Sequence, residues 1–357
     1  MDYIPLSDNA ARQVVDSTTL FEEYHRVRAE ARQYEGGMYW KRQGAYEYLT
    51  KTTPDNRQRR IAPRSPESEQ IYADFTSGKR DAEARLKSLR AALTDAERMN
   101  KALKAGRTPA LVVALLQTLE DAGLSAHFTV VGTHALYAYE TAAGVRIVQG
   151  ELATQDVDPL WYARARVQFM ADMGKLDASM LAILQRADPS FERKEGHNET
   201  AINDKGFEVD FLRRMRVGSD VHPFRFTDDE GDLWPVQARR ASVLTDAPRF
   251  EHLVISATGR MARMKTVAPQ SFVDFKRWMG KNAPNRPEAK RRRDLRQAEI
   301  VQSLITHGLL AGGSESRTSS GPSLARAARR AATRPTAGSR RGAGSGSSES
   351  PRPRPHR

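Results

Sequence analysis

Apolar and polar positions alternate along this chain in ways that define its elements. Phe128-Thr129-Val130-Val131 is a β-branched and aromatic run, bounded by Ser-Ala-His before and Gly-Thr after, and predicts a short buried strand. Good helix formers follow from His134 to Glu140. In Thr154-Gln155-Asp156-Val157-Asp158 a period of two turns Val157 into the core and sets Asp156 and Asp158 on the opposite face. Gly206-Phe207-Glu208-Val209-Asp210-Phe211-Leu212 repeats the device, with Phe207, Val209 and Phe211 on one side and Glu208 and Asp210 on the other. The segment from Gly144 to Gly150 has room for an additional strand and turn.

Helical periodicity dominates both flanks. Leu20 to Tyr34 reads as a helix and Met38 to Leu49 as a hairpin turning at Gln43-Gly44. Ser65 and Pro66 suit the N-cap and first position of a long helix. Along it Ala82, Leu86, Leu89, Leu93, Ala96 and Leu103 recur at spacings of four and three, with Asn100 filling the remaining seam position. Such a seam packs within the chain, against the first helix or Leu111 to Leu119, with dimerisation as the alternative. Pro269 to Gly280 marks one face with Phe272, Phe275 and Met279, and Lys276 falls inside that arc, where it snorkels or meets an anion. In Pro287 to Leu309, Asp294 extends the face of Ala298, Val301 and Ile305, so a salt bridge between two packed helices is one expectation.

These elements predict an α+β fold: a small mixed sheet with flanking helices, a helical N-terminal arm and C-terminal helices. The expected divisions are a mainly helical region over 1–125, a core over 126–265, C-terminal helices over 266–310 and a basic tail over 311–357.

Charge changes this picture in one respect. The net +13 is uneven, because residues 311–357 hold ten Arg and two Glu, a net +8, which leaves +5 for residues 1–310. That tail is rich in Gly, Ser, Pro, Ala and Arg with almost no large apolar side chains, a composition expected to stay disordered and able to add salt-sensitive affinity for RNA or another polyanion. Within the folded part Lys290-Arg291-Arg292-Arg293 is the densest basic run, either a solvated helix start or a steering patch. Tyr39, Trp40, Lys41, Arg42, Tyr46 and Tyr48 interleave aromatics with charge; they are able to stack bases, although a packed hairpin explains them more simply. Met1 to Ala10 lacks the basic start and apolar run of a secretory leader, and no stretch approaches the roughly 20 apolar residues of a membrane span. With no cysteine, the chain has no disulfide or thiolate metal site, which is compatible with a cytoplasmic location.

The candidate chemistry lies in the conjunction of two features. Gly132 lets a backbone approach a ligand closely, and Thr133 caps the next helix or bonds a phosphate oxygen. His134 reads as a helix-start residue rather than a base. Two carboxylates about 4 Å apart repel by roughly 4 kcal/mol at an effective dielectric near 20, so Asp156 and Asp158 call for a cation, and their hard oxygens suit Mg²⁺ or Mn²⁺. Asp210 is placed to join them from a neighbouring strand. Pro159, directly after the pair, removes one ladder donor and predicts an edge strand or an early strand end.

Val-Val-Gly-Thr-His-Ala-Leu-Tyr-Ala-Tyr-Glu, Ala-Thr-Gln-Asp-Val-Asp and Phe-Glu-Val-Asp-Phe resemble the nucleotidyltransferase superfamily, and more narrowly an uncharacterised bacterial family of nucleotidyltransferase-fold proteins. The similarity extends over most of residues 20–306 and includes Tyr39-Trp40-Lys41 and Arg64-Ser65-Pro66-Glu67. The resemblance implies metal ligands at Asp156, Asp158 and Asp210. It also implies an NTP as donor, its phosphates held at Gly132 and Thr133 with Lys276 adding positive charge, and transfer of a nucleoside monophosphate to RNA, protein or a small molecule. A silent fold that only binds RNA, nucleotide or protein is the alternative. Lys276 and the later Arg293-Asp294 loosely resemble C-terminal motifs of toxin-type members. Two departures stand out: Thr133 replaces the common Gly or Ser, and 24 positions separate Gly132 from Asp156.

Overall fold

The computed structural model describes residues 2–147, 150, 152, 156–161, 166–218, 220, 222, 224–238 and 241–312, all within one compact unit, Met1–Ser320. Thr154, Gln155 and the basic tail from residue 313 onward lie outside the described residues.

The N-terminal arm begins with a short strand, β1 (Tyr3–Pro5), and a long helix, α1 (Asp8–Ala31). The helix starts well before Leu20 because the Ser7 hydroxyl accepts the Ala10 N–H at 3.4 Å as its N-cap, while Val14 and Ser17 are buried. Three antiparallel strands follow, β2 (Gly37–Gln43), β3 (Tyr46–Thr52) and β4 (Gln58–Pro63), so the expected hairpin has a third strand. Helix α2 (Pro66–Ala102) opens on a capping box between Ser65 and Ser68 with Pro66 in its first turn, as its sequence predicts. Its seam packs on α1 within the same chain. Asn100, fully buried, accepts hydrogen bonds from Ser17 Oγ at 2.8 Å and Gln13 Nε2 at 3.1 Å and donates to the Gly259 carbonyl at 3.2 Å, so the one polar position of the seam is satisfied.

The core begins with α3 (Ala110–Asp121), β5 (Phe128–Val131), α4 (Ala135–Ala143) and β6 (Val145–Ile147), the last pairing with β1. Strand β7 (Asp156–Trp161), α5 (Arg166–Leu176), α6 (Met180–Gln185), β8 (Glu192–Arg193), β9 (Thr200–Ile202), β10 (Glu208–Asp210), β11 (Leu212–Arg213) and β12 (Val236–Gln237) complete the mixed sheet. Helix α7 (Ala241–Asp246), the hairpin β13 (Arg249–Ile255) and β14 (Met261–Val267), and helices α8 (Pro269–Asn282) and α9 (Glu288–Thr306) close the described chain.

Strand β7 is central. It pairs antiparallel with β5 on one side and parallel with β10 and then β11 on the other. This corrects the expectation drawn from Pro159, which sits opposite Val130 inside the ladder. The missing N–H is tolerated there because pairing with β10 ends at Val157 and resumes with β11 only at Leu160.

One face of the sheet presents Val130, Val157, Pro159, Val209 and Phe211 to Leu115 and Leu119 of α3 and Leu184 of α6. Beyond them Phe128, Trp161, Phe169, Phe211, Phe224 and Phe226 form a buried aromatic cluster, with Trp161 and Phe224 stacked at 4.2 Å. Each such ring contributes roughly 1.5–3 kcal/mol over leaving it exposed. Helix α4 is anchored at its far end by Glu140, nearly fully buried, which accepts from Arg107 at 2.9 Å, Arg146 at 3.1 Å and the Ile147 N–H at 2.9 Å. The fold is therefore the expected α+β arrangement, and its packing leaves the other face of β7 and β10 for charge.

Candidate metal centre and phosphate corner

Parallel pairing of β7 with β10 puts Glu208 opposite Asp156 and Val209 opposite Val157. Paired residues share a face, so Asp156, Asp158, Glu208 and Asp210 all lie on the face turned away from α3. Glu208 is engaged by Lys194 Nζ at 2.6 Å. The other three converge: a carboxylate oxygen from each of Asp156, Asp158 and Asp210 lies within 4.8 Å of the others, and all three are half-buried. Two unit charges at that separation repel by about 3.5 kcal/mol at an effective dielectric near 20.

The electrostatic consequence falls on Asp158. Burial first, then the charges of Asp156 and Asp210, push its carboxyl up to about 7, while Lys276 and Lys290 pull it back. Asp210 is also raised, mainly by burial, and the Thr200 hydroxyl that donates to its Oδ1 at 2.6 Å counteracts this. Such a trio is poorly served by protons or neighbours alone, and all its donors are hard carboxylate oxygens. It fits a divalent ion of the Mg²⁺ or Mn²⁺ kind.

The corner between β5 and α4 closes on the same carboxylates. Val131 pairs with Asp158, and Gly132 follows at φ +72°. A Cβ at Gly132 would fall against Asp158 Oδ2, so this position needs glycine both for its left-handed backbone and for the closeness of the carboxylate. Thr133 does not cap α4; His134 occupies that position and makes no side-chain cap. The Thr133 hydroxyl, buried, instead accepts Gln297 Nε2 of α9 at 3.3 Å, which leaves its own O–H to donate. His134 is buried beside Phe207, and desolvation lowers its pKa to about 4 against the pull of Asp156, so it is neutral at physiological pH.

Lys276 meets an anion, and that anion is Asp294. Its Nζ lies 2.8 Å from Asp294 Oδ1, with Arg286 on the other carboxylate oxygen and both Lys276 and Asp294 buried. The salt bridge between two packed helices is thus present, and the Lys276 charge also acts on Asp158. The basic run of α9 divides its tasks: Lys290 acts on Asp158, Arg291 donates to the carbonyls of Lys281 and Ala283 at the end of α8, and Arg292 faces Glu288 at 3.7 Å. Sequence reasoning missed Thr200, Lys194 and Gln297. Thr200 is set by its register opposite Asp210, and Gln297 by the docking of α9 on the corner; neither leaves a local signal.

A profile for nucleotidyltransferases matches residues 110–312, from the first residue of α3 to beyond α9, and so covers the triad, the corner and Lys276. This chain belongs to that nucleotidyltransferase family. Comparisons with curated proteins and with solved structures give no match. The N-terminal arm precedes the matched region, although the sequence resemblance was expected to reach back to residue 20. Among the described residues of this nucleotidyltransferase, no helix is long and apolar enough to cross a membrane.

Proposed function

We propose that this nucleotidyltransferase moves a nucleoside monophosphate from an NTP to an acceptor, with release of pyrophosphate, at Asp156, Asp158 and Asp210. The observation that carries the reading is the convergence of the three carboxylates from two strands beside Gly132. Bound there, Mg²⁺ or Mn²⁺ would supply charge neutralisation for the phosphates and activation of the acceptor oxygen. Asp156 and Asp158 would hold the ions from β7, and Asp210, positioned by Thr200, would complete the set from β10. Gly132 offers a backbone with no side chain in the way, and Thr133 donates its hydroxyl proton to a phosphate oxygen while Gln297 fixes the oxygen. Lys276 adds positive charge through its field at Asp158, with Asp294 and Arg286 keeping it in place. The acceptor is RNA, a protein or a small molecule.

Incubation with each labelled NTP, Mg²⁺ or Mn²⁺, and a host lysate tests the reading, because the labelled species reports donor and acceptor together. Asp156→Ala and Asp158→Ala should abolish metal-dependent NTP consumption while the fold survives. Activity equal to wild type in both variants refutes the assignment.

A second reading, a silent module that binds nucleotide, is favoured by one observation: Thr133 and Lys276, two of the groups expected on the phosphates, already have protein partners. Metal-dependent NTP binding without pyrophosphate release would select it.

A further inference from the structure

One stretch of the folded part carries a marked excess of positive charge. Residues 37–64, which hold β2, β3 and β4, contain seven Lys or Arg and two acids, a net +5, and this equals the whole net charge of residues 1–310. The two acids are already taken, Glu47 by Arg64 and Asp55 by Arg57 at 2.9 Å. Among the described residues Lys41, Arg42, Arg59 and Arg60 make no ion pair, and all four are exposed.

Alternation gives this sheet two unlike faces. Trp40, Leu49 and Lys51 turn toward α2, where Trp40 meets the Tyr72 ring at 5.9 Å, Lys51 lies over Phe75 and Leu49 is fully buried. On the opposite face, register sets Lys41 beside Tyr48 and Gln43 beside Tyr46, with Tyr39 on the same side. The Arg60 guanidinium stacks over the Tyr48 ring at 4.0 Å. Tyr46 is 67% exposed, an uncommon state for a large ring with no packing role. Arg42, opposite Glu47, and Arg59, opposite Lys51, belong to the α2 side, so the cations of the tyrosine face are Lys41 and Arg60.

Rings that present an open π-face among uncompensated cations match a chain of alternating bases and phosphates. Stacking on tyrosine and on the Arg60 plane serves unpaired bases, and the charges of Lys41 and Arg60 serve the phosphates. A duplex hides its base faces, and unpaired stretches with accessible bases belong chiefly to RNA. We infer that the outer face of the β2–β3–β4 sheet is a docking platform for single-stranded RNA. The sheet's other face contacts α2 at Tyr72 and Phe75, whereas Asn100 near the other end of α2 docks on Gly259. That separation is about 38 Å along the helix, so a ligand engaging both the platform and the core must be a polymer. Binding is read without NTP or metal, so the inference stands or falls separately from the triad.

The test is fluorescence anisotropy of a labelled single-stranded RNA, a poly-U 20-mer, with the full chain over a range of salt. Lys41→Gln/Arg60→Gln changes only exposed side chains of the tyrosine face and leaves the basic tail intact. It should weaken binding at least tenfold and make the salt slope shallower by about 1.4, since each single-strand phosphate contact contributes about 0.7. Tyr46→Ser should weaken the RNA severalfold and leave heparin binding unchanged. An affinity within twofold of wild type for the double variant would assign binding to the tail and overturn the platform. So would an inert Tyr46→Ser, or a loss shared equally by heparin and an acidic peptide. Circular dichroism and thermal melting confirm that both variants fold, and Tyr46→Ser alone decides the matter if the double variant does not.

Discussion

Gly132 and Asp158 occupy each other's only available space: the glycine's α-carbon, at φ +72°, stands where any Cβ would strike the carboxylate of a residue 26 positions later. The strand end, the helix start and the acidic centre are therefore one steric unit. Whatever binds the carboxylates meets the bare backbone of Gly132 at the same time.

Gly132→Ala should therefore damage stability and ion binding together. The left-handed backbone alone costs about 1 kcal/mol with a side chain, and displacement of Asp158 adds to it, for a total of roughly 2–3 kcal/mol. Urea denaturation without metal measures the first loss. Isothermal titration with Mg²⁺ or Mn²⁺ measures the second, expected to exceed tenfold. Wild-type metal affinity in this variant would show that Asp158 is not a ligand.

Asp158→Asn should stabilise the metal-free protein at neutral pH. The folded carboxyl titrates near 7 and the unfolded one near 3.8. Below about pH 4 both states are protonated and the substitution changes nothing. As pH rises toward 7 the unfolded state ionises before the folded one, so wild-type stability falls and the variant gains, by about 1–2 kcal/mol above pH 7. Thermal melts in EDTA from pH 4 to 8 follow this. Adding Mg²⁺ should reverse the order, because it raises the melting temperature of wild type and not of the variant.

Lys276→Met should be costly and partly rescued. Breaking a buried pair by removing one partner costs about 3–5 kcal/mol, and Lys276→Met/Asp294→Leu should recover a large share because neither charge is then stranded. Chemical denaturation gives the cycle, and NTP binding separates the roles. If the recovered double variant binds NTP as wild type does, Lys276 only braces α8 against α9; if binding stays weak, its charge reaches the phosphates.

The sequence alone determined what short-range periodicity and local capping can encode. Asp156 and Asp158 share a face because two residues is the repeat of any strand, and Ser65-Pro66 opens a helix because its cap atoms lie within four residues of one another. The same logic placed Lys276 and Asp294 on buried helical faces, and their meeting followed from the cost of leaving either alone. Tertiary structure alone decided which strands neighbour β7, and with that the joining of Asp210 to the pair, the acceptance of Pro159 in a central strand, and the reach of Gln297 to Thr133. Those contacts link residues far apart in the chain, and their energies depend on register and docking, which no window of sequence contains.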